Sequence, residues 1–495
     1  MKKTIALLLA LLMLTAAFAA CAEKAPGEDT QPSVTTAAGE GTGSGENTEA
    51  ESTALTPAVG DVNFNGYVFN VLTRGTSSST WYSRDIYAEA ITGDIINDAV
   101  YSRNSKMEEK YGFKVQETGS KSPATDAATS IASGTDEYGM YCFKVKDDIT
   151  SLLLKGYLRN LNNVTSMDLD RPYYDQNSRA AFSVANRLYL ITGDLLTMDN
   201  DATRCALFNK ALFRDLSIAN EIGGSLYQLM TDGKWTLDVM AKCAEMATSD
   251  LNGDGVMDTT DRYGMVSEQF NVVSFYNASG RLLYSKNADD IPEFTANTEE
   301  SLDVLSKVVT MLNQPYCRHY SNGYNDAIPQ FKEGIVLFYP AQLADVPLLR
   351  EMEFDFGILP LPKYTEDQDS YHSTVTTYGS NCIAIPSSVT DVERSAAIIE
   401  VLSCESMYVL TPAYYELNLK SKLVRDAESA PSIDIILSTA CFELGYMWNW
   451  GSIYGQLCNA FNNNMPNLST AFKTVEKTAK KAIQDNVDTI TGLLD

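Results

Sequence analysis

The chain has 495 residues, more than one ordinary domain, so two units with sizeable cores are expected and no staple of the kind small scaffolds need. Its 64 acidic against 38 basic residues leave a formal net charge of −26, which opposes nucleic acid or an anionic lipid surface as partner and is equally the character of a secreted, soluble surface.

Lys2 and Lys3 precede an apolar run from Ile5 to Ala20, too short and too soon followed by polar sequence for a spanning helix, so residues 1–20 read as a signal peptide. Phe18-Ala19-Ala20-Cys21 resembles a lipobox, which puts a diacylglyceryl and palmitate anchor on Cys21. Phe18 stands where leucine is usual, and Ala17-Phe18-Ala19 is also an ordinary cleavage site, the alternative being plain secretion. Residues 21–60 carry no aromatic side chain and are dominated by Glu, Gly, Ser, Thr, Ala and Pro, so they read as a disordered tether.

Folded sequence begins at Tyr67–Leu72, a β-rich run followed by a polar loop with Trp81 and Tyr82. Ile96, Val100, Met107 and Tyr111 then share one helix face, Gly112 stops that helix, and Phe113 to Val115 resume a strand. DAATSIAS, MYCFKV and DITSLLLKGYL repeat the alternation, the sequence form of an open α/β sheet. Ser183 to Ile191 reads as a turn and strand closed by Gly193-Asp194, and a second unit opens over Ala206–Asp215, Gly233–Met246 and Tyr263–Phe275, with Thr236 as an N-cap. From Ile335 to Tyr339 runs a buried strand; Ala341, Ala344, Leu348 and Met352 then mark a helix, and a further strand from Phe354 stops at Pro360-Leu361-Pro362. Asn381–Pro386 supplies another strand, Thr390–Leu402 a helix, and Ala471–Ile490 a final amphipathic helix. Besides Cys21, eight cysteines lie at irregular spacings inside apolar runs, so packed free thiols are expected, in a compartment that also permits disulfides.

The segment FKEG followed by FDFGILPLPK resembles the cross-over region of extracellular solute-binding proteins of ATP-binding-cassette (ABC) importers, in particular the sugar-binding lipoproteins of Gram-positive bacteria. INDAVYSRNSKMEEKYGFKV, LYLITGDL, ALFNKALFRDL, GKWTLDVM and NCIAIPSS match the same family in the same order. The resemblance implies an α/β, bilobal periplasmic-binding-protein-like fold of type II, two open α/β lobes joined by a multi-strand hinge. Lobe 1 would comprise 61–195 plus 338–390 and lobe 2 196–337 plus 391–495, with crossings near Asp194–Asp201, near Tyr339 and after Pro386. It implies a monomeric receptor rather than an enzyme, lipid-anchored on the outer face of the cell membrane, whose partners are a sugar or oligosaccharide and the permease subunits.

Enzyme signatures are missing: with His319 and His372 alone there is no H-E-x-x-H, and no G-x-S-x-G, Walker A loop or G-x-G-x-x-G occurs. A glycosidase needs only two placed carboxylates and stays as an alternative, beside receptors for peptides or polyamines. Asp250, Asn252, Asp254, Asp258 and Asp261 put oxygen side chains at positions 1, 3, 5, 9 and 12 of an EF-hand-like loop, with Gly255 at position 6 and the Val256 carbonyl at position 7. Calcium is the structural ion that set suits; the same residues equally make an Asp/Gly turn capped by its own side chains, and Asp261 is shorter than the usual glutamate. Sugar recognition needs aromatic plates and planar polar groups, for which Arg74, Trp81, Tyr82, Asp194, Asp199, Tyr339, Gln342, Tyr378, Trp448 and Trp450 are the candidates, with core packing the alternative for each tryptophan.

Overall fold

The computed structural model describes residues 55–76, 81–320, 324–349, 352–415 and 427–493. The expected signal peptide, Cys21 and most of the expected tether lie outside the described residues. β1 (Tyr67–Arg74) leads into the helix Ile95–Tyr111, whose start is set by Asp94, its carboxylate accepting from the Ile96 and Asn97 amides, and whose end is set by Gly112 at φ 66°. β2 (Phe113–Ser120) and β3 (Met140–Lys144) follow in the same alternating manner. The next strands are β4 (Arg204–Asn209) and β5 (Tyr263–Ser267), then the short pair β6 (Tyr284–Lys286) and β7 (Pro292–Phe294). The rest are β8 (Cys317–His319), β9 (Val336–Gln342), β10 (Phe356–Leu359), β11 (Ser373–Val375), β12 (Asn381–Ala384) and β13 (Ala440–Phe442).

These strands sort into two main sheets. The first has the order β12-β3-β1-β2, with β1 parallel to both β2 and β3 and β12 antiparallel to β3. The second has the order β10-β4-β9-β5-β8, where β5 runs parallel to β8 and β9 while β4 opposes both β9 and β10. Helices cover the sheets unevenly: β4, β5, β9 and β12 are buried along their whole length, whereas the edge strand β2 alternates buried and exposed residues and β8 is only partly covered. Thr236 caps the helix Leu237–Ala247 as expected, its hydroxyl accepting from the Val239 amide.

The expected division into lobes needs correcting in three places. β9 and β10 flank β4, with Tyr339 opposite Leu207 on one side and Ile358 opposite Leu207 on the other, so 338–359 belongs to the second sheet and the chain does not leave it at Tyr339. Every residue of β9 is buried, which demands a neighbour on each side, and β4 and β5 supply them. Departure comes between Val375, bridged to Thr203, and Asn381, paired with Lys144 of β3. Second, the helix Val392–Pro412 packs on the helix Ile95–Tyr111 of the first sheet, where Arg103 Nη1 donates to Ser406 Oγ at 3.2 Å. A third passage therefore follows Pro412 rather than Pro386, ending at the helix Ala430–Ser438 against β10. Third, the end of the expected tether is seated: the Leu55 amide donates to Tyr408 OH at 2.7 Å and the Ala58 amide to Glu400 Oε1 at 3.1 Å. Between β9 and β10 the expected α-helix is a 3-10 helix, Leu343–Leu349, since the strand runs on to Gln342 and Pro347 removes a backbone donor. The eight cysteines of the described residues are free thiols, most of them buried.

Candidate ligand-binding cleft

The carboxyl ends of the parallel strands in both sheets converge on the same two chain passages. Thr203 bridges Val375, the Thr376 amide donates to Ala202 O at 3.0 Å, and the Leu343 amide, just past β9, donates to Thr203 O at 3.0 Å. From the first sheet, the Val145 and Lys146 amides past β3 donate to Ser380 O and Thr377 O at 3.2 and 3.1 Å. Residues 202–204 and 375–381 thus form a hydrogen-bonded hinge, with strand ends of the two sheets facing across it. In open α/β sheets that is where ligands bind.

Tyr378 sits on this hinge with 44% of its surface exposed. The Arg74 guanidinium, at the end of β1, lies 5.6 Å from the Tyr378 ring centroid and Lys144 Nζ, at the end of β3, lies 4.8 Å from it. Arg74 Nη1 also donates to Tyr378 O at 3.2 Å, and burial lowers the Arg74 pKa. Lys144 pairs with Asp148 at 3.3 Å; burial still holds that carboxyl above its usual range. On the opposite side Arg204 pairs with Glu268 at 2.9 Å and lies over the Phe270 ring at 4.6 Å. Tyr446 packs edge-on against Phe270 and Tyr454, and Lys146 Nζ reaches to 5.5 Å from its centroid. Directly after Lys146 the backbone is held in a sparsely populated region at Asp147, φ 70° and ψ −38°. Aromatic rings beside charged, planar hydrogen-bonding groups can take up the apolar face and hydroxylated edge of a sugar.

The sequence candidates fall in several places. Arg74 and Tyr378 are brought together in the cleft, as described. Trp81 and Tyr82 line an adjoining cavity of about 270 Å³ with Arg84, Asp201, Asp345 and Leu348, between the first sheet's loop and the 3-10 helix after β9. Gly379 is required there, since a Cβ at that position would come within 2.9 Å of the Trp81 ring. Tyr339 OH and the Gln342 amide both donate to Asp345 Oδ2, at 2.8 and 3.0 Å, and form a buried brace under the cavity. Asp199 is buried behind the hinge, its carbonyl accepting from Thr203 Oγ1 at 2.9 Å, and burial raises its pKa. Asp194 accepts from Thr411 Oγ1 at 2.8 Å on the helix Val392–Pro412, with burial pushing its pKa to about 6. Trp448 and Trp450 stack with centroids 5.5 Å apart and planes at 7°. Trp450 belongs to the core, its carbonyl accepting from Tyr284 OH, while Trp448 is half-buried; both contribute to a groove of about 680 Å³ with Asp147, Thr150 and Thr478. Sequence reasoning missed Lys144, Arg204, Glu268, Phe270 and Tyr446. Lys144 and Arg204 had a signal, being charged residues at strand ends; Tyr446 had none.

In the loop Asp250–Asp261 the side-chain oxygens accept from the loop's own amides. Asp250 takes Gly253 and Gly255 at 2.6 and 2.8 Å, Asn252 takes Asp254 at 2.8 Å, Asp254 takes Val256 at 2.8 Å, and Asp261 takes Leu251 and Asp258 at 2.8 Å each. Gly255 has φ 81°, and the Val256 side chain is exposed. Among the described residues no three His, Cys, Asp or Glu groups are gathered as they would be around a metal ion. The donor chemistry, all oxygen, is that of a hard cation site.

Neither a family model nor a curated protein matches the chain. Solved structures do: a cyclo/maltodextrin-binding protein complexed with maltotetraose (TM-score 0.55, 12% identity, 86% of this chain and 98% of that one) is among them. Others are the maltose/maltodextrin-binding domain MalE from Bdellovibrio bacteriovorus bound to maltotriose (0.51, 16%, 84% and 100%) and RafE from Streptococcus pneumoniae (0.52, 12%, 87% and 98%). At these identities the likeness is one of fold, and it covers nearly the whole length of each. The chain has the type II periplasmic-binding-protein-like fold, the architecture of ABC-transporter substrate-binding proteins.

Proposed function

We propose that the chain is the substrate-binding component of an ABC importer, capturing a sugar or oligosaccharide outside the cell and delivering it to a membrane permease without cutting it. The observation that carries this reading is the hinge of residues 202–204 and 375–381, with Tyr378, the packed pair Phe270 and Tyr446, and charged side chains gathered around it. Two sheets joined by narrow passages can rotate about them, closing on a ligand held at the strand ends. Sugars bound to proteins of the same fold support the ligand class.

Three finer readings accompany it: a signal peptide over residues 1–20 with lipidation of Cys21, a monomeric receptor, and a structural calcium ion in the loop Asp250–Asp261. The anchor is supported by the lipobox-like Phe18–Cys21, and the calcium by oxygen side chains at loop positions 1, 3, 5, 9 and 12. Isothermal titration of the purified protein against a panel of saccharides, followed by chromatography of the ligand, tests the main reading. Saturable binding with the ligand returned intact is the expected result; cleavage would point to a glycosidase, and binding of peptides or polyamines alone would move the receptor to another ligand class.

A further inference from the structure

Two buried arginines, Arg74 and Arg103, have no ion-pair partner among the described residues, and they are used differently. Arg103 is fully buried and satisfied by Asp85 O, Ile86 O, Leu195 O, Ser406 Oγ and Asn104 Oδ1, an arrangement that serves the fold. Arg74 is 6% exposed, and among the described residues its guanidinium makes one hydrogen bond, to Tyr378 O. The other cations around the cleft have carboxylates of their own: Lys144 has Asp148, Lys146 has Asp147, Arg204 has Glu268 and Arg84 has Asp201. In a chain of net charge −26, Arg74, Lys144 and Lys146 thus share the two carboxylates Asp147 and Asp148, and Arg74, reached only by the longer-range field of Asp148, has no carboxylate paired to it beside the exposed ring of Tyr378.

A cation removed from water without a counter-charge is costly, and closing a cleft over Arg74 would remove the water that remains. Hydroxyls of a neutral sugar can accept its N–H groups but leave the charge itself unanswered. A carboxylate answers both, because the planar guanidinium offers parallel N–H donors to two carboxylate oxygens. Resting on the sugar-receptor reading, we propose that the ligand is an acidic saccharide whose carboxylate is received by Arg74 while its ring lies against Tyr378.

The test is isothermal titration of the purified protein with oligosaccharides matched in length, one series neutral and the other carrying uronic acid residues. Arg74→Met and Arg74→Lys are titrated alongside, each checked for its melting temperature. Wild type should bind the uronic acid series at least about thirtyfold more tightly than the neutral series. Arg74→Met should lose that preference while melting close to wild type, and Arg74→Lys, which keeps the charge but not the fork, should keep part of it. If Arg74→Met does not fold, the wild-type preference and its weakening in Arg74→Lys decide. Equal binding of both series, or a preference that survives removal of Arg74, overturns the proposal and leaves the sugar receptor standing; binding of neither series overturns the receptor reading itself.

Discussion

Trp448 and Trp450 lie face to face, yet their surroundings give them different work. The ring of Trp450 meets Tyr284 at 5.3 Å in the core, with 3% of the residue exposed, whereas Trp448 borders an open groove beside Thr150 and Thr478. Trp450→Ala should therefore lower stability by about 3–5 kcal/mol, with the affinity of the folded fraction little changed. Trp448→Ala should leave the melting temperature nearer wild type; for an oligosaccharide long enough to reach the groove it should cost about 2 kcal/mol, roughly thirtyfold in Kd. Thermal melts and titrations of the two variants separate these outcomes, and equal losses of melting temperature with normal affinity would assign both rings to the core. Arg74, Trp81, Tyr82 and Tyr378 were readable as candidates because they stand at or just past strand ends. Tyr446 was not: it comes from a helix far along the chain, and only packing on Phe270 brings it to the hinge.

At the scale of elements, the loop Asp250–Asp261 is the most specific local pattern in the chain. Its carboxylates hold the loop's own amides, so Asp250→Ala with Asp254→Ala should lower the melting temperature in the absence of calcium, through loss of the turn. The diagnostic quantity is the increment on adding calcium. An ion bound by the folded state alone adds RT ln(1 + [L]/Kd), about 2.7 kcal/mol at a hundredfold excess over Kd. Wild type should show that rise and the double variant should not; an equal response of the two to calcium and to chelator would leave only a turn. Elements with a local signature, such as the helix capped by Asp94 and ended by Gly112, were legible from spacing and end residues. The stretch after β9 was not, because its apolar spacing suits an α-helix, while continuation of the strand to Gln342 and Pro347 confine it to a single tight 3-10 segment.

For the whole molecule, the first question is where it resides. If Cys21 carries the lipid, Cys21→Ala should release the protein into the medium or leave the precursor uncleaved, as read by fractionation and mass; a processed variant still retained on the membrane would sink the anchor. Length and the alternation of strand and helix patterns were enough to indicate an α/β protein, since these are local or summed properties of the chain. Which sheet each strand joins was decided only in three dimensions. The run Ile335 to Tyr339 announces by its unbroken apolar character that it is buried, but nothing within it says that its neighbours are β4 and β5 rather than strands of the first sheet. Pairing depends on surfaces contributed by residues distant in the chain, Tyr263 for Val336 and Leu207 for Tyr339, and so do the hinge made by Thr203 with Val375 and the meeting of Arg74 with Tyr378.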